Sequence, residues 1–177
     1  MDAQGSNPVR LTDEADIAAP QCSPDGEWVL YMRGYSALRL PIIGGVPDPV
    51  GSSNSWGVRV SPNGKFIANV AWWYGSSKPL RIQILPFGGG AALYEFDWPG
   101  IAGEPRWKPD SRAIQYVLTR DGVSNIWEHG FTDSAPKQVT NFKSDMIFDF
   151  DWSRDGKRLA LTRGSTKTDL VTISNFR

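Results

Sequence analysis

His129 is the only histidine in the 177-residue chain, and Glu128 stands next to it. A histidine oriented by a carboxylate would make a general base. The surrounding run, Asn125 to His129, reads as a β-strand, and neighbouring strand residues point to opposite faces. Glu128 therefore cannot orient the ring, and a structural or solvent-exposed histidine is expected. Nucleophilic chemistry has no support either, because the chain holds no Gly-x-Ser-x-Gly elbow. Gly88-Gly89-Gly90 lacks the spacing of a dinucleotide fingerprint and follows a strand inside a hairpin, where a turn is the better reading. Asp149 and Asp151 alternate with Phe148, Phe150 and Trp152, which puts both carboxylates on one face of a strand. A calcium ion needs six to eight oxygens, so a solvated or arginine-paired face is expected. No catalytic residue, metal site or cofactor is assigned.

Recognition chemistry is better represented. Trp72-Trp73-Tyr74 places three aromatic residues where the equivalent stretches of the chain are Gly34-Tyr35-Ser36, Thr119-Arg120-Asp121 and Gly164-Ser165-Thr166. Tryptophan and tyrosine bury a large area at little entropic cost and are enriched at binding hot spots. They also cover gaps between packed sheets. Trp72, Trp73 and Tyr74 are the candidate binding residues, with contact and packing as the two readings.

These residues are held by a repeat. Cys22-Ser23-Pro24-Asp25-Gly26 returns as Val60-Ser61-Pro62-Asn63-Gly64, Trp107-Lys108-Pro109-Asp110-Ser111 and Trp152-Ser153-Arg154-Asp155-Gly156. Their starts are 38, 47 and 45 residues apart, the range of one four-stranded propeller blade. Each phrase is a hairpin turn: proline presets φ, Asp or Asn bonds its own backbone, and glycine accepts the left-handed conformation. Ser111 and Arg154 replace the glycine and the proline in two copies, making those turns locally less favourable. A five-residue apolar strand follows each phrase: Trp28 to Met32, Phe66 to Val70, Ala113 to Val117 and Arg158 to Thr162. Apolar residues on both faces suit a sheet packed between two others. Third strands are expected over 38–43, 80–85, 125–129 and 170–174, and a fourth is clearest over 134–140. Eight tryptophans, 18 glycines and 13 prolines agree with an all-β chain of short strands and tight turns.

The expected fold is an all-β β-propeller of four four-stranded blades over about 13–50, 51–96, 97–142 and 143–177. Residues 6–12 repeat the pattern of 134–140 and read as an outer strand of a preceding blade or of the last one. In the second case the two chain ends close a ring; in the first, the chain is the C-terminal part of a longer propeller, an incomplete ring or half-ring. An open arc exposes apolar faces and invites self-association, and two copies would complete an eight-bladed ring. Met1 to Gly5 read like the exit of a third strand, as if an internal methionine were taken as a start.

Nineteen basic residues balance 19 acidic ones, so no net field draws the chain to nucleic acid or to an anionic membrane. The first twenty residues carry Asp2, Asp13, Glu14 and Asp16 and do not read as a secretory signal, and no stretch approaches the length of a membrane span. As written, the chain reads as soluble and cytoplasmic. Cys22 is a single cysteine. It occupies the position of Trp107 and Trp152, and a small buried hydrophobe is expected there.

The phrase, the apolar strand after it, a polar link such as Thr119-Arg120-Asp121-Gly122, the Asn125-Ile126-Trp127 strand and the closing Lys137-Gln138-Val139-Thr140 together resemble the TolB-type propeller repeat, a relative of the WD repeat. All four copies match. The stretch from Thr140 to Arg177 is similar to the C-terminal end of propellers fused to bacterial serine/threonine kinases or winged-helix regulators, notably in acidobacteria. The resemblance implies a non-catalytic scaffold that recognises a protein or peptide, with a fusion making it an extracytoplasmic or periplasmic sensor. The alternative it implies is an accessory gating propeller of a prolyl-oligopeptidase-like serine hydrolase.

Overall fold

The computed structural model describes residues 6, 8–51, 54–72, 80–98, 104–153, 155–169 and 172. They form β-strands and loops, with no helix among them. The first blade is an antiparallel meander of β1 (Ile17–Cys22), β2 (Trp28–Arg33), β3 (Ser36–Pro41) and β4 (Asp48–Val50). The second repeats it with β5 (Ser55–Val60), β6 (Phe66–Ala71), β7 (Arg81–Pro86) and β8 (Tyr94–Asp97). The third is β9 (Arg106–Trp107), β10 (Ala113–Arg120), β11 (Val123–Gly130) and β12 (Lys137–Gln138). In the fourth, β13 (Met146–Trp152) pairs with β14 (Leu159–Gly164). The third strand expected over 170–174 lies outside the described residues, apart from Thr172, which is not in a strand.

Three buried clusters join successive blades. Leu30, Met32 and Ala37 meet Val58, Ile67 and Leu85 between blades one and two. Ala68, Val70, Ile82 and Ile84 meet Trp107, Ile114 and Tyr116 between blades two and three. Val117 and Ile126 meet Ile147 and Phe150 between blades three and four. Among the described residues no buried cluster joins blade four to blade one, so the arrangement is an incomplete propeller. The middle strands of blades two and three are sealed on both sides, as their apolar runs require; Ile67, Ile82, Ile84, Ile114 and Ile126 are fully buried. β14 departs from the expected two-sided burial, because no described blade covers its outer face and Ala160, Thr162 and Arg163 are exposed.

The four phrases fold alike. The fifth residue donates its N–H to the carbonyl of the second (Gly26 to Ser23, Gly64 to Ser61, Ser111 to Lys108, Gly156 to Ser153; 2.8–2.9 Å). The Asp or Asn side chain accepts the N–H two residues on at 3.0–3.1 Å. Where the second residue is serine, its hydroxyl also accepts the N–H five residues later at 2.9–3.0 Å. The fifth residue always has positive φ, and Ser111 adopts 60° in place of glycine, which costs a side-chain-bearing residue about 1 kcal/mol or more. The substitution has a structural counterpart, because Ser111 Oγ accepts the Asn63 N–H of the preceding blade at 3.1 Å. Gly156 has no such latitude: a Cβ there would stand 2.7 Å from Pro109 Cβ.

Cys22 departs from expectation, since its side chain is exposed. This position faces the preceding blade. Trp107 uses it to donate Nε1–H to Arg59 O of blade two at 2.9 Å, and Trp152 to donate to Gln115 Oε1 of blade three at 2.8 Å. Cys22 lies in the first described blade, where no described blade precedes it. The outer strand expected over 6–12 is not seen: 6 and 8–12, and 13–14 after them, form no strand among the described residues, and Asn7 lies outside them. Side chains of this segment are engaged locally and with blade one instead: Thr12 Oγ1 accepts the Glu14 N–H at 3.1 Å, Arg10 pairs with Asp13, Glu14 accepts the Tyr31 hydroxyl at 2.8 Å, and Leu11 packs on Tyr31, Leu38 and Leu40.

Candidate functional site

The meander puts the phrases and the β3–β4-type turns at one end of the blades. The β2–β3-type links and the connections between blades lie at the other, forming a loop face. Trp72 sits there, partly buried after β6, its N–H donated to Asn54 O at 2.8 Å. Its ring lies 5.7 Å from that of Tyr35, in the corresponding link of blade one. Tyr35 O in turn accepts the Ser55 N–H at 2.8 Å. The segment entering β5 thus fixes both aromatic links, while Tyr35 stays 58% exposed. Trp73 and Tyr74 lie outside the described residues.

The structure adds Trp56 to this face. The β5–β6 register slips between Ser55 and Gly57, leaving Trp56 as the extra residue of a bulge. A bulge re-aims the side chain it inserts. Ser55 turns inward at 1% exposure and bonds Asn69, while Trp56 is 56% exposed. Trp56 and Gly57, adjacent in sequence, both border one cleft between blades two and three, which encloses about 250 Å³. Its other walls are Ala68, Val70, Trp98, Pro105 and the charged pair Arg59 and Glu104. Glu104 Oε2 accepts hydrogen bonds from Arg59 Nη2 and, at 3.5 Å, from Arg106 Nη1. Arg106 Nη2 then reaches Asp149 Oδ1 at 3.2 Å. Charges alternate across the inner strands, and Asp149 has the arginine partner expected of it. Asp151 Oδ1 accepts the N–H of Trp152 at 2.8 Å. No group of three potential metal-binding side chains occurs among the described residues.

His129 and Glu128 point to opposite faces, as strand alternation requires. His129 is 9% exposed, its ring 4.1 Å from Phe96 of blade two, and its Nε2–H donates to Asp133 O at 3.2 Å. Glu128 is buried on the other face, where Gln115 Nε2 donates to it at 2.8 Å and Lys108 and Lys137 reach it at 3.3 and 3.1 Å. Burial alone would push this carboxyl up, but the hydrogen bonds from Gln115 and Lys137 and the Lys108 charge outweigh it and hold the carboxyl below its ordinary range. Burial pushes the Tyr116 phenol up to about 12. Tyr116 belongs to the packing between blades two and three, whereas Glu128 is held by partners within blade three.

The cleft was not legible in the sequence. Trp56 is one of eight tryptophans, and the bulge that turns it outward follows from tertiary packing; an aromatic followed by glycine at the entry to an inner strand was the available signal.

No protein-family model matches the chain. The uncharacterized peptidase YuxL of Bacillus subtilis (strain 168) is 24% identical over 176 residues, covering 93% of this chain and 25% of that protein. The chain thus spans a quarter of this relative's length. TolB from Acinetobacter baumannii superposes with a TM-score of 0.69 at 23% identity, over 90% of this chain and 41% of TolB. The β-propeller domain of the Trilobed protease from Pyrococcus furiosus, described as having an open velcro topology, gives 0.61 at 14% identity over 86% and 51% of the two chains. These likenesses show the fold: a β-propeller similar to that of TolB. No helix among the described residues is long and apolar enough to cross a membrane.

Proposed function

We propose that this propeller is a non-catalytic binding module that holds a protein or peptide against its loop face. The observation that carries the reading is the aromatic surface on that face: Tyr35 and Trp72 in ring contact, and Trp56 standing out over the interblade cleft. Exposed aromatic side chains on a rigid β scaffold supply contact area at small entropic cost. Trp73 and Tyr74, which lie outside the described residues, are proposed as binding residues beside Trp72 from their residue types alone. In a signalling protein, such a module would be the sensory input, outside the membrane when anchored.

Alanine substitution of Trp72, Trp73 and Tyr35 tests the reading, with melting temperature and partner capture measured on the same samples. Capture falls while the fold survives if the surface is a contact site. Lost stability with undiminished capture by the folded fraction would make it packing only.

A second reading is favoured by the peptidase relative and the protease propeller: an accessory gating propeller of a serine hydrolase. Reaction of the natural full-length polypeptide with a fluorophosphonate probe supports that reading; absence of labelling counts against it.

A further inference from the structure

We infer that the cleft between blades two and three is a subsite for a proline-containing peptide segment, with Trp56 as the stacking wall and Trp98 as the hydrogen-bond donor. This deepens the binding-module reading and rests on it. Three properties of the cleft select the occupant.

The first is shape and surface. Trp56, Trp98, Pro105, Ala68 and Val70 give apolar walls, and Gly57 contributes no side chain, leaving about 250 Å³ open. That space suits one or two compact apolar rings, and indole faces are the usual walls of grooves that bind polyproline II segments.

The second is charge. The two ionic side chains in the lining, Arg59 and Glu104, are paired with each other, and Arg106 also bonds the Glu104 carboxylate. The pairing neutralises the charge presented to an occupant, so neither a lysine nor a phosphate is matched there. A sugar would need both donors and acceptors for its hydroxyls, whereas the carboxylate oxygen bonded to the two guanidinium groups is already engaged.

The third is hydrogen bonding. Trp98 is 6% exposed, and its indole Nε1 is buried with no acceptor among the described residues. Buried indole N–H groups ordinarily find a partner. Trp107, in the same cluster, has found one in Arg59 O. Trp98 lines the cleft, so an indole whose donor lacks an acceptor forms part of the cleft wall. A proline residue presents a carbonyl and no N–H, so it satisfies that donor without burying an unmatched donor of its own.

Fluorescence anisotropy with a fluorescein-labelled peptide of five consecutive prolines flanked by Gly-Ser tests the assignment, beside a control in which alternate prolines are alanine. Saturable binding is expected, with the control about tenfold weaker, the size of effect one well-placed ring makes. Trp56→Ala removes an exposed ring, and Gly57→Val fills the cleft at a position where a Cβ meets nothing closer than 4.0 Å. Each is expected to weaken binding by about tenfold or more, with the circular dichroism spectrum and melting temperature unchanged. Trp98→Phe keeps a ring and deletes the donor; a loss of about fivefold is expected, in line with a single hydrogen bond. Equal binding of the alanine control, or binding indifferent to both Trp56→Ala and Gly57→Val, overturns the subsite. A random-peptide phage selection on the same protein separates this failure from that of the binding module. Enriched clones without proline, blocked by Trp56→Ala, overturn the proline assignment and leave the module standing. No enriched clone and no probe binding remove both.

Discussion

The indole N–H of Trp152 donates to Gln115 Oε1 at 2.8 Å, and Gln115 Nε2 donates to Glu128 Oε2 at the same distance. One carboxamide thereby ties the inner strand of blade four to a buried carboxylate of blade three. Trp152→Phe should cost about 1 kcal/mol, the net value of one such bond. Gln115→Leu should cost about 1–3 kcal/mol, because it strands the indole N–H and takes a donor from Glu128. Urea unfolding of both single variants and the double variant should give a coupling energy of about 0.5 kcal/mol or more. Strict additivity would show that the bond does not form.

Glu128 makes the fold sensitive to acid. Its folded pKa lies below the ordinary 4.5, so its stabilisation is complete above that value and is lost as pH falls through the lowered folded pKa. Thermal melts of the wild type should therefore fall more steeply below about pH 4.5 than those of Glu128→Gln. The variant should be less stable at pH 7. Parallel acid limbs in the two proteins would remove Glu128 from the account.

Ser111 sets backbone strain against a bond between blades. Ser111→Gly relieves the 60° φ and loses the acceptor for the Asn63 N–H; the two effects are each about 1 kcal/mol and should nearly cancel. Ser111→Ala keeps the strain and loses the bond. It should be less stable than the glycine variant by about 1 kcal/mol in chemical denaturation. The reverse order would contradict the turn geometry.

The thiol of Cys22 should react with a disulfide reagent such as dithionitrobenzoate in native buffer, to one equivalent, without unfolding. Reaction only at denaturant concentrations that melt the chain would show that the position is covered.

The turns were readable because their chemistry is local. Pro24, Asp25 and Gly26 form their turn with partners at most five residues away, and Ser61 through Gly64 do the same apart from the Asn63 N–H, which Ser111 of the next blade accepts. Strand positions followed from the apolar runs behind them. The environment of Cys22 was not readable, because the same position is buried or open according to whether another blade stands in front of it. Trp72 was singled out by its departure from the other repeats. Trp56 was missed, because its outward aim depends on a slip in strand register set by tertiary packing, which the Trp56-Gly57 pair alone did not announce.

Gln21 reaches from blade one to blade two, its Nε2 donating to Val58 O and its Oε1 accepting the Val60 N–H at 2.9 Å. Apolar surfaces pressed together have no preferred angle, since dispersion and water exclusion are nearly indifferent to small rotations. A two-point clasp is not indifferent. It indexes one blade against the next much as a detent indexes a dial, so the curvature of the arc is set by hydrogen-bond geometry near the axis, and changes in core side-chain volume should show up as altered stability before they alter that curvature.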